Sequence, residues 1–174
     1  YSLKSLKYLF ENNGLEIFKI EENEINGGSY RIYCRKYNKG SIKLYEPNVL
    51  NSIKQFVKRI KNNKLAINNF INKNIKKGKK IFLYGASTKG NTVLQYYKLD
   101  HKKIPFAAER SPEKWGKYTV GSGIKIISEK KARKLNPDYF FVTPWGFINE
   151  FKKRESAWLN KGGKFILPFP KFKV

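Results

Sequence analysis

Acidic residues, cysteine, histidine, methionine and long apolar runs are all scarce in this 174-residue chain, and each scarcity excludes something. A single cysteine, Cys34, excludes an internal disulfide framework and a cysteine-based zinc site, and it fits a reducing, cytoplasmic setting. The lone histidine, His101, stands between Asp100 and two lysines in an expected exposed loop. No His/Asp/Glu cluster has metal-ligand spacing, and no serine or cysteine has a base partner visible in the sequence. No apolar run approaches the ~18 residues of a membrane span, and no signal-peptide pattern is present. The chain contains no methionine and starts at Tyr1, so it is expected to be a processed or truncated piece. Acids are few as well, with 13 against 37 basic residues, a formal net charge of +24. None falls between Pro47 and Leu99.

What is present bounds the meaning of that charge. Hydrophobic residues make up 40% and aromatics 16%, enough to bury a core, so this is not a disordered polycation. The basic residues are 31 lysines and only six arginines. Lysine, asparagine and isoleucine are abundant together, as in 66–75, a composition that an AT-rich genome favours. Sequence readers of DNA lean on arginine for bidentate contacts to guanine. The charge therefore supports non-specific attraction to polyanions and poorly supports base reading. A lysine-rich nucleic-acid-binding module stays open as an alternative.

The pattern along the chain implies an α/β protein. Residues 2–13 read as a short amphipathic helix, capped by Ser2 and stopped by Gly14. Two strand-like runs follow, 15–25 and 29–35, joined by the turn Asn26-Gly27-Gly28. The polar stretch 37–46 reads as a linker. Pro47 then opens a long lysine-rich helix to about Lys77, with apolar residues from Val49 to Ile71 at steps of three and four. It is expected to bury one face and solvate the other. From Lys80 short buried-type strands alternate with helices, including one helix over 147–160. This pattern signals a Rossmann-like, doubly wound, mostly parallel sheet with flanking helices. The expected division is 1–36, a bridge at 37–79, and an α/β domain at 80–174.

Three segments could carry chemistry. Gly85-Ala86-Ser87-Thr88-Lys89-Gly90-Asn91-Thr92 follows a strand and opens a helix, where free backbone N–H groups and the helix dipole suit phosphate. It is not a Walker loop, because Asn91 stands where lysine is required, and the dinucleotide glycine spacing is broken by Ala86 and Ser87. Packing alone is the competing explanation for its small residues. Glu109-Arg110-Ser111-Pro112-Glu113-Lys114-Trp115-Gly116-Lys117-Tyr118 follows the next strand. There Glu109 could meet ribose hydroxyls, Arg110 or Lys114 a phosphate, and Trp115 or Tyr118 a base. Thr143-Pro144-Trp145-Gly146-Phe147 also ends a strand, although Trp145 could simply cover the core.

Taken in order, the 84–92 and 107–116 segments, Pro137-Asp138-Tyr139-Phe140-Phe141-Val142-Thr143-Pro144-Trp145 and Gly162-Gly163-Lys164-Phe165-Ile166-Leu167-Pro168-Phe169-Pro170 resemble the C-terminal domain of the nucleotide-sugar C-methyltransferases. The segment 24–33 resembles the end of the same family's methyltransferase domain, so residues 2–36 would be the last helix and hairpin of a class I SAM-dependent fold. The resemblance implies a cytoplasmic enzyme that methylates a ring carbon of a dTDP- or UDP-linked keto-deoxysugar. SAM, the catalytic base and any zinc would belong to upstream domains, so this piece alone would be inactive and bind no cofactor. Its substrate-binding residues would be Ser87, Thr88, Lys89 and Asn91 for the diphosphate, and Glu109, Arg110 and Lys114 for the rest of the nucleotide. Arg31 would reach in from the hairpin. No membrane and no specific nucleic acid is an expected partner. Two departures stand out: Glu109 where the family usually has Asp, and Gly146 where a larger residue is common. A CoA- or NAD-binding domain of the same fold is a further alternative.

Overall fold

The computed structural model describes residues 1–25, 28–45 and 49–174, which form two compact units, Tyr1–Phe56 and Val57–Val174. Asn26 and Gly27 of the expected turn, and Pro47 as a helix start, lie outside the described residues. None of the described helices is long and apolar enough to cross a membrane.

In the first unit, helix α1 (Leu3–Glu11) starts with a reciprocal cap, in which Ser2 and Ser5 each bond the other's backbone. Gly14 ends it with φ at +72°. Strands β1 (Leu15–Asn23) and β2 (Ser29–Lys36) pair antiparallel, with a bulge at Phe18 between Ile17 and Lys19. The stretch after β2 folds back on β1. Ile42 N–H donates to the Ile17 carbonyl at 3.0 Å, and Ile17 N–H to the Ser41 hydroxyl at 3.0 Å. What holds this return is Glu16, buried on β1. One of its oxygens accepts the N–H groups of Asn38, Lys39 and Gly40 at 3.0, 2.8 and 2.6 Å. The other accepts Arg35 Nε at 2.6 Å.

Helix α2 (Val49–Lys76) is long, as expected, but among its described side chains the apolar stripe is buried in the second half. Ile67 and Ile71 are fully buried, whereas Ile53, Phe56 and Val57 are exposed. Three asparagines add polar anchors within the second unit. Asn63 donates to Pro168 O at 3.2 Å, Asn68 donates to Tyr97 O at 2.9 Å, and Asn74 accepts from the Tyr139 hydroxyl at 3.2 Å.

The second unit is a five-stranded parallel sheet with helices on both faces, a Rossmann-like α/β fold. Its strands are β3 (Ile81–Tyr84), β4 (Phe106–Glu109), β5 (Lys125–Ser128), β6 (Tyr139–Val142) and β7 (Lys164–Ile166), in the spatial order β5-β4-β3-β6-β7. Alternation along each strand divides the core. Ile81 and Leu83 face Ile67 and Ile71 together with Leu94 and Tyr97 of α3 (Thr88–Tyr97). Phe82 and Tyr84 face the opposite layer, formed by α4 (Glu129–Lys134), α5 (Ile148–Arg154) and α6 (Ser156–Asn160), through Ala132, Phe151 and Trp158. The single helix expected over 147–160 is in fact a 3-10 turn (Trp145–Phe147) followed by α5 and α6. The break falls at Glu155, whose φ and ψ leave helical values as its carboxyl turns inward to meet Tyr84.

The Glu16 carboxyl is held down to about 2 from the ordinary 4.5, first by the Asn38 N–H and then by Arg35, against the opposing effect of burial. A depressed folded-state pKa contributes stability above the unfolded value, lost as pH falls from about 4.5 toward 2. The amide resonances of Asn38, Lys39 and Gly40 are expected to titrate with a midpoint near 2, measured by 15N NMR, and Glu16→Gln should abolish that titration.

Candidate functional site

The chain leaves β3 toward β4 and β5 on one side, and leaves β6 toward β7 on the other, so the winding reverses between β3 and β6. Open parallel sheets bind ligands at the carboxyl ends of the strands flanking such a reversal. A cleft of about 230 Å³ opens there, at the ends of β3, β4 and β6.

Close packing shapes its floor. Gly85 has φ at +84°, and a Cβ on it would lie 2.7 Å from Pro144 Cγ. The Thr143 hydroxyl donates to the Gly85 carbonyl at 2.8 Å. A Cβ on Gly90, in the first turn of α3, would lie 2.6 Å from Thr143 Oγ1. Ser87 caps α3, its hydroxyl accepting Gly90 N–H at 3.0 Å. The N–H groups of Thr88 and Lys89 in that first turn have no intrahelical acceptor, as helix geometry requires.

Glu109, at the end of β4, joins two loops. Oε2 accepts Ala86 N–H at 2.9 Å, and Oε1 accepts the N–H groups of Arg110 and Ser111 at 2.9 and 3.1 Å. Lys114 Nζ lies 3.6 Å from Oε2 and donates to the Ala86 carbonyl at 3.3 Å. Glu109 thus acts as a clamp between the β3–α3 turn and the loop after β4, with both oxygens engaged.

Of the residues expected at a site, Ser87, Glu109, Arg110 and Lys114 line this cleft. Thr88, Lys89 and Asn91 follow in α3 without lining it. Arg31 sits on β2 in the first unit, 3.4 Å from Glu21. Trp115 donates its indole N–H to the Glu109 carbonyl at 2.9 Å, and neither Trp115 nor Tyr118 lines the cleft. Trp145 packs on the core side, its ring centroid 4.8 Å from that of Phe169. His101 is exposed in the turn after α3.

The opposite wall was not read from sequence. It comprises Phe147, Phe151, Glu129, Glu150 and Arg154. The Arg154 guanidinium is fixed on three sides, by Tyr84 Oη, Glu129 and Glu150, each at 3.1 Å. The Tyr84 hydroxyl donates to Glu155 at 2.7 Å, and Arg133 donates to the same carboxylate oxygen. Burial and the Glu155 contact push the Tyr84 hydroxyl well above its usual range. The available signal was the four-residue spacing of Glu129 to Arg133 and Glu150 to Arg154, which marks ion pairs on a helix without saying which face they serve.

The lining holds three cations and three carboxylates. Glu109 serves Lys114, while Glu129 and Glu150 serve Arg154. Arg110 is the cleft cation without a carboxylate partner among the described residues, and it is exposed. No group of three His, Cys, Asp or Glu among the described residues is placed to hold a metal.

Residues 24–170 match the family described as the C-methyltransferase C-terminal domain. The chain belongs to that family. It is also similar to C-methyltransferase NovU of Streptomyces niveus, 28% identical over 186 aligned positions covering the whole chain. The chain spans 44% of that relative's length. The matched family segment contains the whole cleft, from Tyr84 to Arg154.

Three substitutions test how the cleft is built. Gly90→Ala should cost about 1–3 kcal/mol in urea denaturation, since its Cβ meets buried Thr143, whereas Gly146→Ala, which meets nothing within 4 Å, should stay within about 0.5 kcal/mol. Glu109→Ala leaves three backbone N–H groups without their acceptor and should cost about 1–3 kcal/mol. Its amide exchange should rise at Ala86 and Ser111 while the Phe82 and Phe140 amides stay protected; unchanged exchange at the two loops would contradict the clamp.

Proposed function

We propose that the cleft of this C-methyltransferase C-terminal domain binds a nucleotide-diphosphate sugar, dTDP- or UDP-linked, and orients it for methylation of a sugar carbon. The observation that carries this reading is Arg110. It is an uncompensated guanidinium at the rim of a cleft at the β3/β6 reversal, beside the Ser87-capped start of α3. Arginine pairs with phosphate in a bidentate, charge-assisted fork, and a helix start adds N–H donors of matching polarity. Thr88 and Lys89 follow in that first turn without lining the cleft, and what they offer is the backbone N–H groups of the helix start. Lys114 adds positive charge partly spent on Glu109.

The methyl donor in this reading is SAM, whose bound sulfonium supplies an electrophilic methyl group. An acidic residue at the end of the second strand of a doubly wound fold can meet a ribose diol, but Glu109, which stands there, has both oxygens committed to backbone N–H groups, so it is assigned neither to SAM's ribose nor to that of the nucleotide sugar. No residue of this chain is assigned to the donor. The cleft carboxylates Glu129 and Glu150 are tied to Arg154, so none is assigned as a proton-removing base. The part assigned to this chain is binding and orientation, which lower the entropic share of a barrier without moving a proton.

Titration of the chain with UDP and dTDP, followed by 15N NMR and calorimetry, tests the reading. Shifts are expected at Ser87, Thr88, Arg110 and Lys114, and Arg110→Ala should weaken binding by about tenfold, the loss of roughly one charge-assisted hydrogen bond. Absence of binding by either nucleotide, or an Arg110→Ala protein that binds as the wild type does, would overturn it.

A further inference from the structure

Phe147 is an exposed aromatic residue within the cleft, with 61% of its surface open to solvent. Its ring is not a loose end. The Phe147 N–H donates to the Pro144 carbonyl at 3.1 Å, closing the 3-10 turn. Trp145, two residues earlier, anchors that turn by packing on Phe169. Phe151, one helical turn on, lies at a centroid distance of 6.3 Å, and the Arg154 guanidinium caps the Phe151 ring at 5.1 Å. Gly146, beside Phe147, leaves open space within 4 Å of where its own side chain would begin. The result is an aromatic ring open to solvent, its backbone held in a 3-10 turn, on a cleft wall whose charged groups are already paired.

An exposed ring in such a place gains from a flat partner. A nucleobase stacked on an aromatic side chain is worth about 1–3 kcal/mol, and every base has a face to offer. The two aromatics expected to do this, Trp115 and Tyr118, lie outside the cleft lining. We propose that Phe147 is the stacking platform for the base of the nucleotide, with the diphosphate directed toward Ser87 and Arg110 on the opposite wall. This inference rests on the reading of the cleft as a nucleotide-sugar site. Phe147 is a binding residue here and takes no part in bond-making.

The test compares UMP and dTMP with ribose 5-phosphate, which lacks the base, on the wild-type chain and on Phe147→Leu and Phe147→Tyr. Wild type should bind the two nucleotides at least about tenfold tighter than ribose 5-phosphate. Phe147→Leu should bring the nucleotides down to the ribose 5-phosphate level and leave ribose 5-phosphate itself unchanged, while Phe147→Tyr restores the preference. The base H6 resonance should move upfield on binding to wild type and not to Phe147→Leu. A preference unchanged in Phe147→Leu overturns the platform alone, as does equal binding of UMP and ribose 5-phosphate by wild type. If neither the nucleotides nor ribose 5-phosphate bind wild type, the nucleotide-sugar reading falls and the platform with it.

Discussion

The close approach of the first turn of α3 to the end of β6 is the constraint on which the cleft depends. Gly90 rests against buried Thr143, and Thr143 in turn holds the Gly85 carbonyl, so three points of the β3/β6 reversal are locked together. A side chain at Gly90 would push α3 away from Thr143, and one at Gly85 would drive into Pro144. This explains why a glycine-rich octet follows β3 without matching either known phosphate fingerprint. Its glycines are accounted for by packing, at position 90, and by packing with a positive φ, at position 85. They carry no information about a ligand. Ser87 likewise has a structural role as the cap of α3, whereas Arg110 has no carboxylate partner among the described residues.

A second layer of constraint comes from buried polar groups. Tyr84 projects from β3 into the helical layer and meets Glu155 and Arg154 there. Glu155 is fully buried, and its Oε2 has no hydrogen-bond partner among the described residues. A carboxyl in that position is costly unless paired, so Arg133 and the Tyr84 hydroxyl are tied to it. The helix breaks at this residue. The break, the ion pairs and the placement of Arg154 are therefore one arrangement. Moving Glu155 would release Tyr84, and with it one of the three contacts that hold the Arg154 guanidinium on the cleft wall.

Much of the fold was legible because its signals are local. Four-residue strands such as Ile81–Tyr84 are buried on both sides, and they read as short apolar runs between turn residues. Ser2 was legible as a cap for the same reason. What was missed depends on distant partners. The 37–42 stretch is polar and reads as a linker, but a single buried carboxylate at position 16 gathers its N–H groups onto β1. The asparagines of α2 read as compositional drift, yet Asn63, Asn68 and Asn74 each meet a group at least 29 positions away. In the site, the segment from Phe147 to Glu155 reads only as part of one helix over 147–160. No periodicity distinguishes an arginine facing water from one facing a cleft, so the wall carrying Phe147 and Arg154 was invisible while the Ser87 and Arg110 wall was not.

The scarcity of acids then acquires a spatial meaning. Seven acidic residues fall in Val57–Val174, and three of them, Glu109, Glu129 and Glu150, line the cleft while Glu155 backs it. In a chain of formal charge +24, the cleft is thus a place where positive charge is locally balanced. A uniformly basic pocket would attract any polyanion, with little dependence on shape. Neutralising Lys114 and Arg154 with fixed carboxylates removes that indiscriminate attraction and converts two flexible cations into oriented donors. Arg110 is left as the cleft cation without a carboxylate partner among the described residues, and the proposed recognition of a phosphate rests on this one unpaired charge rather than on total charge.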